Sequence, residues 1–363
     1  MRRPALFSST VFALLMLLAP AKAQTIWPNQ QEDTFVVQDF HFADGEILPE
    51  LKLHYLTFGT PKRDSSGAIT NAVLLLHGTS GTSKMWLAPS LANELFGPGQ
   101  PLDATQYFLV APDGIGRGGS SKPSDGLRAR FPHYRYADLV EAQYRLVTEK
   151  LGLRHLRLVT GASMGGMHSW MWAGLHPDFM DGVVPIASQP VAISGRNWLY
   201  RRMAIEAIRN DPDWRNGEYD KNPTHYVYTA PFSFLMTQSA ARLQEQAPSR
   251  EAGDDLYKKL VERAQKNDAN NQLYATEAIE DYDPSSYIGN ARMPILAINF
   301  ADDEVNPPEL GVVEKVLATL PKARYQLIPA GSDTHGHFTY MQATLWKQHL
   351  AQFMRELPQR EAH

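Results

Sequence analysis

A serine with glycines two residues away on each side is the first place where residue type and spacing point to chemistry. The run is Gly161-Ala162-Ser163-Met164-Gly165-Gly166. In a strand-to-helix turn, G-x-S-x-G forces the serine into a strained conformation that bulky neighbours would block. The helix that follows aims N–H groups and its positive dipole end at the hydroxyl. A serine hydroxyl is a weak nucleophile until a base takes its proton. The chemistry this predicts is acyl transfer: attack on an ester carbonyl, a covalent acyl-serine, and release to an acceptor.

The base and the acid that orients it are expected after Ser163, in the order acid then histidine, in loops that follow late strands. One such loop is Ala301-Asp302-Asp303-Glu304-Val305-Asn306-Pro307, where Asp302 and Asp303 both qualify by position. The other is Gly331-Ser332-Asp333-Thr334-His335-Gly336-His337. His337 is favoured over His335 because it follows a glycine and precedes an apolar helix start. The acid would hold the imidazole tautomer and stabilise the imidazolium. The oxyanion would sit on the N–H of Met164 and on one from the loop His77-Gly78-Thr79-Ser80-Gly81-Thr82, with Thr79 the candidate. The glycine-rich stretch 113–120 lacks the Lys-Ser/Thr ending of a phosphate loop and reads as structural. Arg117 within it is a candidate to face the pocket and meet an acidic substrate. Neither a metal nor a cofactor is implied.

Short apolar runs bounded by turn residues must position these groups. They lie at 51–58, 72–76, 107–111, 156–160, 182–187, 294–300 and 324–328, and most suit strands buried on both faces. Helical spacing is predicted over 136–151, 164–175, 308–320 and 340–357. Strands alternating with helices imply right-handed crossovers and a mostly parallel sheet. The alternation breaks between 190 and 283, which is helical and rich in aromatics in its first half. That segment reads as a cap inserted into a sheet domain formed by 24–189 and 284–363.

Composition narrows the function. Of 363 residues, 43% are hydrophobic and 20% charged, as in a chain with a substantial core. There is no cysteine, which removes disulfides, thiol nucleophiles and thiolate-bound metals. A net charge of −4 gives no basic footprint for nucleic acid. Arg2 and Arg3 precede an apolar run at 11–18 and then Ala21-Lys22-Ala23. This pattern predicts a signal peptide over 1–23, cleaved before Gln24, and a periplasmic or secreted protein. The run is too short for a spanning helix, so no stable membrane anchor is expected.

Gly161 to Met167, GASMGGM, resembles the elbow of homoserine O-acetyltransferases in the α/β-hydrolase superfamily. Asp303-x-x-Asn306-Pro307-Pro308 is similar to that family's acid loop, and Gly336-His337 to its histidine loop. The resemblance runs in order from Asn71 to the end. It implies an α/β-hydrolase fold, a mostly parallel central sheet flanked by helices with an inserted helical cap. It implies Ser163 as nucleophile, Asp303 as acid, His337 as base, and a homodimer made partly through the caps. Gly78-Thr79-Ser80-Gly81 departs from the Ala-Leu-Thr-Gly loop usual in the transferases, and Phe338-Thr339-Tyr340 departs from their Asp-Ala-Phe-Leu. An exported protein would also not meet acetyl-CoA. The expectation is therefore a secreted serine hydrolase acting on carboxylic esters. The alternative is an O-acyltransferase that passes the acyl group to a small hydroxyl acceptor.

Overall fold

A computed structural model of the chain describes residues 26–358; the expected signal peptide lies outside them. Eight strands form one sheet in the order β1-β2-β4-β3-β5-β6-β7-β8. They are β1 (Gln31–His41), β2 (Ile47–Gly59), β3 (Ala72–Leu76), β4 (Phe108–Pro112), β5 (Leu158–Ala162), β6 (Val183–Ile186), β7 (Ile295–Phe300) and β8 (Ala323–Ile328). β1 and β2 pair antiparallel, and β2 pairs antiparallel with β4. From β4 across to β8 every pairing is parallel. This is the mostly parallel sheet with flanking helices that the sequence implied.

The central strands are short because they are enclosed. Every residue of β3 and β5 is buried. Their side chains alternate between two cores. Ala72, Leu74 and Leu76 face one with Leu139, Met167 and Trp170, while Val73 and Leu75 face the other with Phe96, Trp346 and Phe353. A strand covered on both faces needs apolar side chains at every position.

Two helices enter the first core, α2 (Tyr136–Arg145) and α3 (Met164–Leu175), after α1 (Pro89–Leu95) has covered the other face. Residues Met164 to Gly174 of α3 are all buried. Trp170 and Trp172 point to different sides of this helix, yet both are fully enclosed. Trp172 Nε1 donates to Gln143 Oε1 of α2 at 2.9 Å, whereas Trp170 Nε1 has no partner among the described residues. α2 is shorter than expected, and a wider turn at Leu146–Lys150 continues it.

Between β6 and β7 the described chain is helical. It runs through α4 (Gly195–Arg209), α5 (Thr224–Thr229), α6 (Pro231–Thr237), α7 (Ala240–Gln246), α8 (Arg250–Gln265) and α9 (Ala269–Glu277). This segment touches the loops at the carboxyl ends of the strands. Asn197 Nδ2 donates to Val305 O at 3.1 Å, and a side chain at Gly336 would meet Ser239 N at 2.6 Å. After β7 the expected helix over 308–320 is broken: Gly311 has φ 62°, and only α10 (Val312–Leu317) is regular. The last helix, α11 (Lys347–Glu356), follows two tight turns at Gly336–Met341 and Ala343–Leu345.

Candidate active site

Ser163 sits between β5 and α3 with φ 58° and ψ −116°. That is a conformation L residues rarely hold, and it persists only where the surroundings enforce it. The neighbours show how. A Cβ at Gly161 would lie 2.5 Å from the Gly165 carbonyl, and one at Gly165 would lie 2.3 Å from Leu76 O. A Cβ at Gly166 would meet Ile186 O at 2.5 Å. The turn is therefore packed between β3 and β6, and glycine is required at both flanks. Ser163 N–H donates to Ile186 O at 2.9 Å, which anchors the turn to the sheet.

The hydroxyl has a partner. His337 Nε2 stands 2.8 Å from Ser163 Oγ, and His337 Nδ1 stands 2.8 Å from Asp303 Oδ2. All three are buried, with Ser163 the most exposed at 7%. Ser163 follows β5, Asp303 follows β7 and His337 follows β8, so three strands of the parallel run, with β6 between the first two, each deliver one member at the same end of the sheet. With Nδ1–H directed at the carboxylate, Nε2 is left to accept from the serine. Burial by itself raises the Asp303 carboxyl. The charge and hydrogen bond of His337 and the amides of Asn306 outweigh this and hold it below the ordinary carboxylate value.

Asp302, the other candidate acid, does not touch His337. Its Oδ2 accepts from Thr334 Oγ1 at 2.7 Å and from Gly336 N–H at 3.2 Å, bracing the loop that carries the histidine. His335 is likewise outside the relay; its N–H donates to Thr339 Oγ1 at 2.8 Å. Asn306 was not singled out from the sequence beyond its motif. Its N–H donates to Asp303 Oδ1 at 3.0 Å and its Nδ2 to Ala187 O at 2.9 Å, so it ties the acid to the end of β6. Its place three residues after Asp303 was the only signal available.

The loop after β3 lies against the serine. A Cβ on Gly78 would sit 3.5 Å from Ser163 Cβ. The Gly78 carbonyl accepts from His77 Nδ1 at 2.8 Å, and His77 Nε2 accepts from Gly114 N–H at 2.8 Å. In a trans peptide the C=O and the next N–H point in opposite directions. The Thr79 N–H is thus turned away from His77. Neither Thr79 N–H nor Met164 N–H donates to a protein acceptor among the described residues. Burial pushes the His77 imidazole down, which keeps it neutral in this bridge.

The stretch 113–120 is the tight structural loop the sequence suggested. Asp113 Oδ1 accepts from Ser83 N–H at 2.6 Å, and its Oδ2 accepts from Gly119 N–H at 2.9 Å and lies 2.8 Å from His54 Nδ1. Arg117 at its tip bonds Gln272 Oε1 of α9 at 3.2 Å.

The chain is similar to known proteins along most of its length. A family profile described as alpha/beta hydrolase fold matches residues 71–343. The homoserine O-acetyltransferase of Pelobacter propionicus is 29% identical over 357 residues, spanning 86% of this chain and 92% of that protein. Among solved structures, a homoserine O-acetyltransferase from Bacillus anthracis superposes with a TM-score of 0.77 at 20% identity, covering 92% of this chain and 99% of its own. An acetylester hydrolase from Corynebacterium glutamicum superposes with a TM-score of 0.77 at 21% identity, covering 90% and 96%. With the profile spanning most of the sequence and the sheet order and elbow in place, the chain belongs to the α/β-hydrolase fold family.

Proposed function

We propose that this protein is a serine hydrolase that cleaves small carboxylic esters through an acyl-enzyme. The observation that carries the reading is the continuous hydrogen-bonded chain from Ser163 Oγ through His337 to Asp303, with 2.8 Å at each link. His337 Nε2 takes the serine proton as Oγ attacks the ester carbon. Asp303 holds Nδ1–H and stabilises the imidazolium that forms. The developing oxyanion is received by the N–H groups of Thr79 and Met164. Collapse of the intermediate breaks the ester C–O bond, and the departing alkoxide takes the proton from Nε2. Water then gives its proton to Nε2 and attacks the acyl carbon. The second collapse returns the proton to Ser163 Oγ and frees the carboxylic acid.

The same acyl-serine can pass to a hydroxyl acceptor in place of water. Similarity to the Pelobacter homoserine O-acetyltransferase across most of both chains supports this second reading. The export that the residue pattern at 1–23 predicts would favour hydrolysis, since an exported protein would not meet acetyl-CoA. Leu199, Met203, Tyr228 and Leu235, exposed on the inserted helices, support a homodimer through that segment, which light scattering would test.

A fluorophosphonate probe followed by mass spectrometry tests the core of the reading. Labelling at Ser163 that disappears in His337→Ala is expected; labelling elsewhere, or none on folded protein, would overturn it. Product analysis with excess small alcohol acceptors separates the two outcomes. Free acid throughout means hydrolysis, and acylated acceptor means transfer.

A further inference from the structure

Four buried polar atoms near the oxyanion loop lack a full complement of partners. Among the described residues, Arg117 Nε and Tyr134 OH make no hydrogen bond, and Tyr136 OH and Thr79 Oγ1 have at most each other. Tyr134 and Tyr136 are 1% and 0% exposed, so these are interior hydroxyls. The atoms form a line of neighbours leading away from the nucleophile. Gly78 adjoins Ser163, Thr79 follows it and meets Tyr136, and the Tyr134 hydroxyl packs on Gly116, where a Cβ would come within 2.0 Å. Arg117 is next in the chain.

The charge balance here is unusual. Arg117 is half-buried with its Nε enclosed, and a guanidinium drawn this far out of water normally brings a carboxylate with it. Arg117 is faced instead by the hydroxyls of Tyr134, Tyr226 and Tyr136, and among the described residues only the neutral Gln272 accepts from it. Arg201 of α4 adds a second positive charge facing Tyr136. It is 4% exposed and gives its Nε to the neutral Asn197 at 2.9 Å. The nearby acids are already engaged: Asp303 with His337, Asp113 with Ser83 and Gly119, Glu277 with Arg209. Burial pushes the Tyr136 hydroxyl up to about 12 and Tyr134 further, so both remain protonated donors.

We propose that Arg117, with the hydroxyls of Tyr134 and Tyr136, forms a subsite for a carboxylate carried by the substrate, making the preferred esters anionic. This inference rests on the serine hydrolase reading for its place beside the scissile bond. The guanidinium supplies charge, the tyrosines supply neutral donors, and the oxyanion loop marks where the ester carbonyl lies.

Matched esters test it. Phenyl hemisuccinate against phenyl pentanoate places the carboxylate on the acyl side; O-acetyl-lactate against its methyl amide places it on the alcohol side. At least one charged member is expected to show kcat/KM about tenfold above its neutral partner. In Arg117→Gln that ratio should fall about tenfold, mainly through KM, and Arg117→Lys should retain part of it. No charge preference in either pair, or a parallel loss on both members in Arg117→Gln, overturns the proposal. Calorimetry of succinate on the Ser163→Ala protein reads the subsite without catalysis, whether or not the hydrolase reading holds. Saturable binding lost in Ser163→Ala/Arg117→Gln supports it, and no binding at millimolar succinate overturns it. If Arg117→Gln does not fold, the succinate titration and Arg117→Lys decide the matter.

Discussion

Asp302 and Asp303 are adjacent in sequence and serve opposite ends of one histidine loop. Asp303 Oδ2 lies 2.8 Å from His337 Nδ1, whereas Asp302 Oδ2 accepts from Thr334 Oγ1 at 2.7 Å and fixes the loop's backbone. One aspartate orients the imidazole and the other holds the chain that carries it.

Substitution should therefore separate the two. Asp303→Asn is expected to lower kcat by about 10⁴, because the wrong imidazole tautomer is favoured. Asp302→Ala should cost at most about a hundredfold, through a slightly misplaced His337. Equal losses in steady-state kinetics would contradict this division.

Ser163 holds a backbone conformation suited to glycine. Ser163→Gly and Ser163→Ala both remove the hydroxyl and should both reduce ester cleavage by about 10⁴ to 10⁶. Only the glycine variant relieves the strained φ. It should be about 1–2 kcal/mol more stable than the alanine variant in thermal or urea unfolding. Equal stability would mean that the turn is less strained than φ 58° implies.

His77 bridges the Gly78 carbonyl and the Gly114 amide. His77→Ala leaves the Gly78–Thr79 peptide free to rotate and should lower kcat about a hundredfold, the scale of losing one oxyanion donor. KM should change little, since the ground-state ester depends less on that amide. A variant with altered KM and normal kcat would remove His77 from this role.

Acid should destabilise the fold through buried histidines. Burial pushes His168 down to about 3 and His176 to about 4 from an ordinary value of 6.5. Between those limits the unfolded chain binds protons that the folded chain refuses, so stability rises with pH across that window. Each such histidine contributes a slope of up to about 1.4 kcal/mol per pH unit. The melting temperature should fall as pH drops from about 6.5 toward 4, and less steeply in His168→Gln. An unchanged slope in that variant would place the acid sensitivity elsewhere.

The parts legible in the sequence were those where burial dictates residue type. AVLLL at Ala72–Leu76 is enclosed on both faces, and the strand has the bounds its apolar run suggested. The elbow was legible because its glycines are sterically required. β1 was missed. It is a polar edge strand, its Asp39 has φ 47°, and its partner β2 contains Pro49, which reads as a breaker. The helix expected over 308–320 ignored the left-handed Gly311. At the site, Ser163, His337 and Asp303 come together as their order suggested. The bracing by Asp302, Asn306 and His77 depends on contacts between loops distant in sequence, which no local pattern records.

The Ser163–His337 contact joins positions 174 residues apart. During synthesis the serine and its turn leave the ribosome long before the histidine exists, and β7 and β8 must dock before the imidazole can reach it. Contacts this distant in sequence come late and at high loop-closure cost. The nascent protein is therefore unreactive toward esters until nearly all of it has been made, and the gain of activity during refolding reports the docking of its last strand.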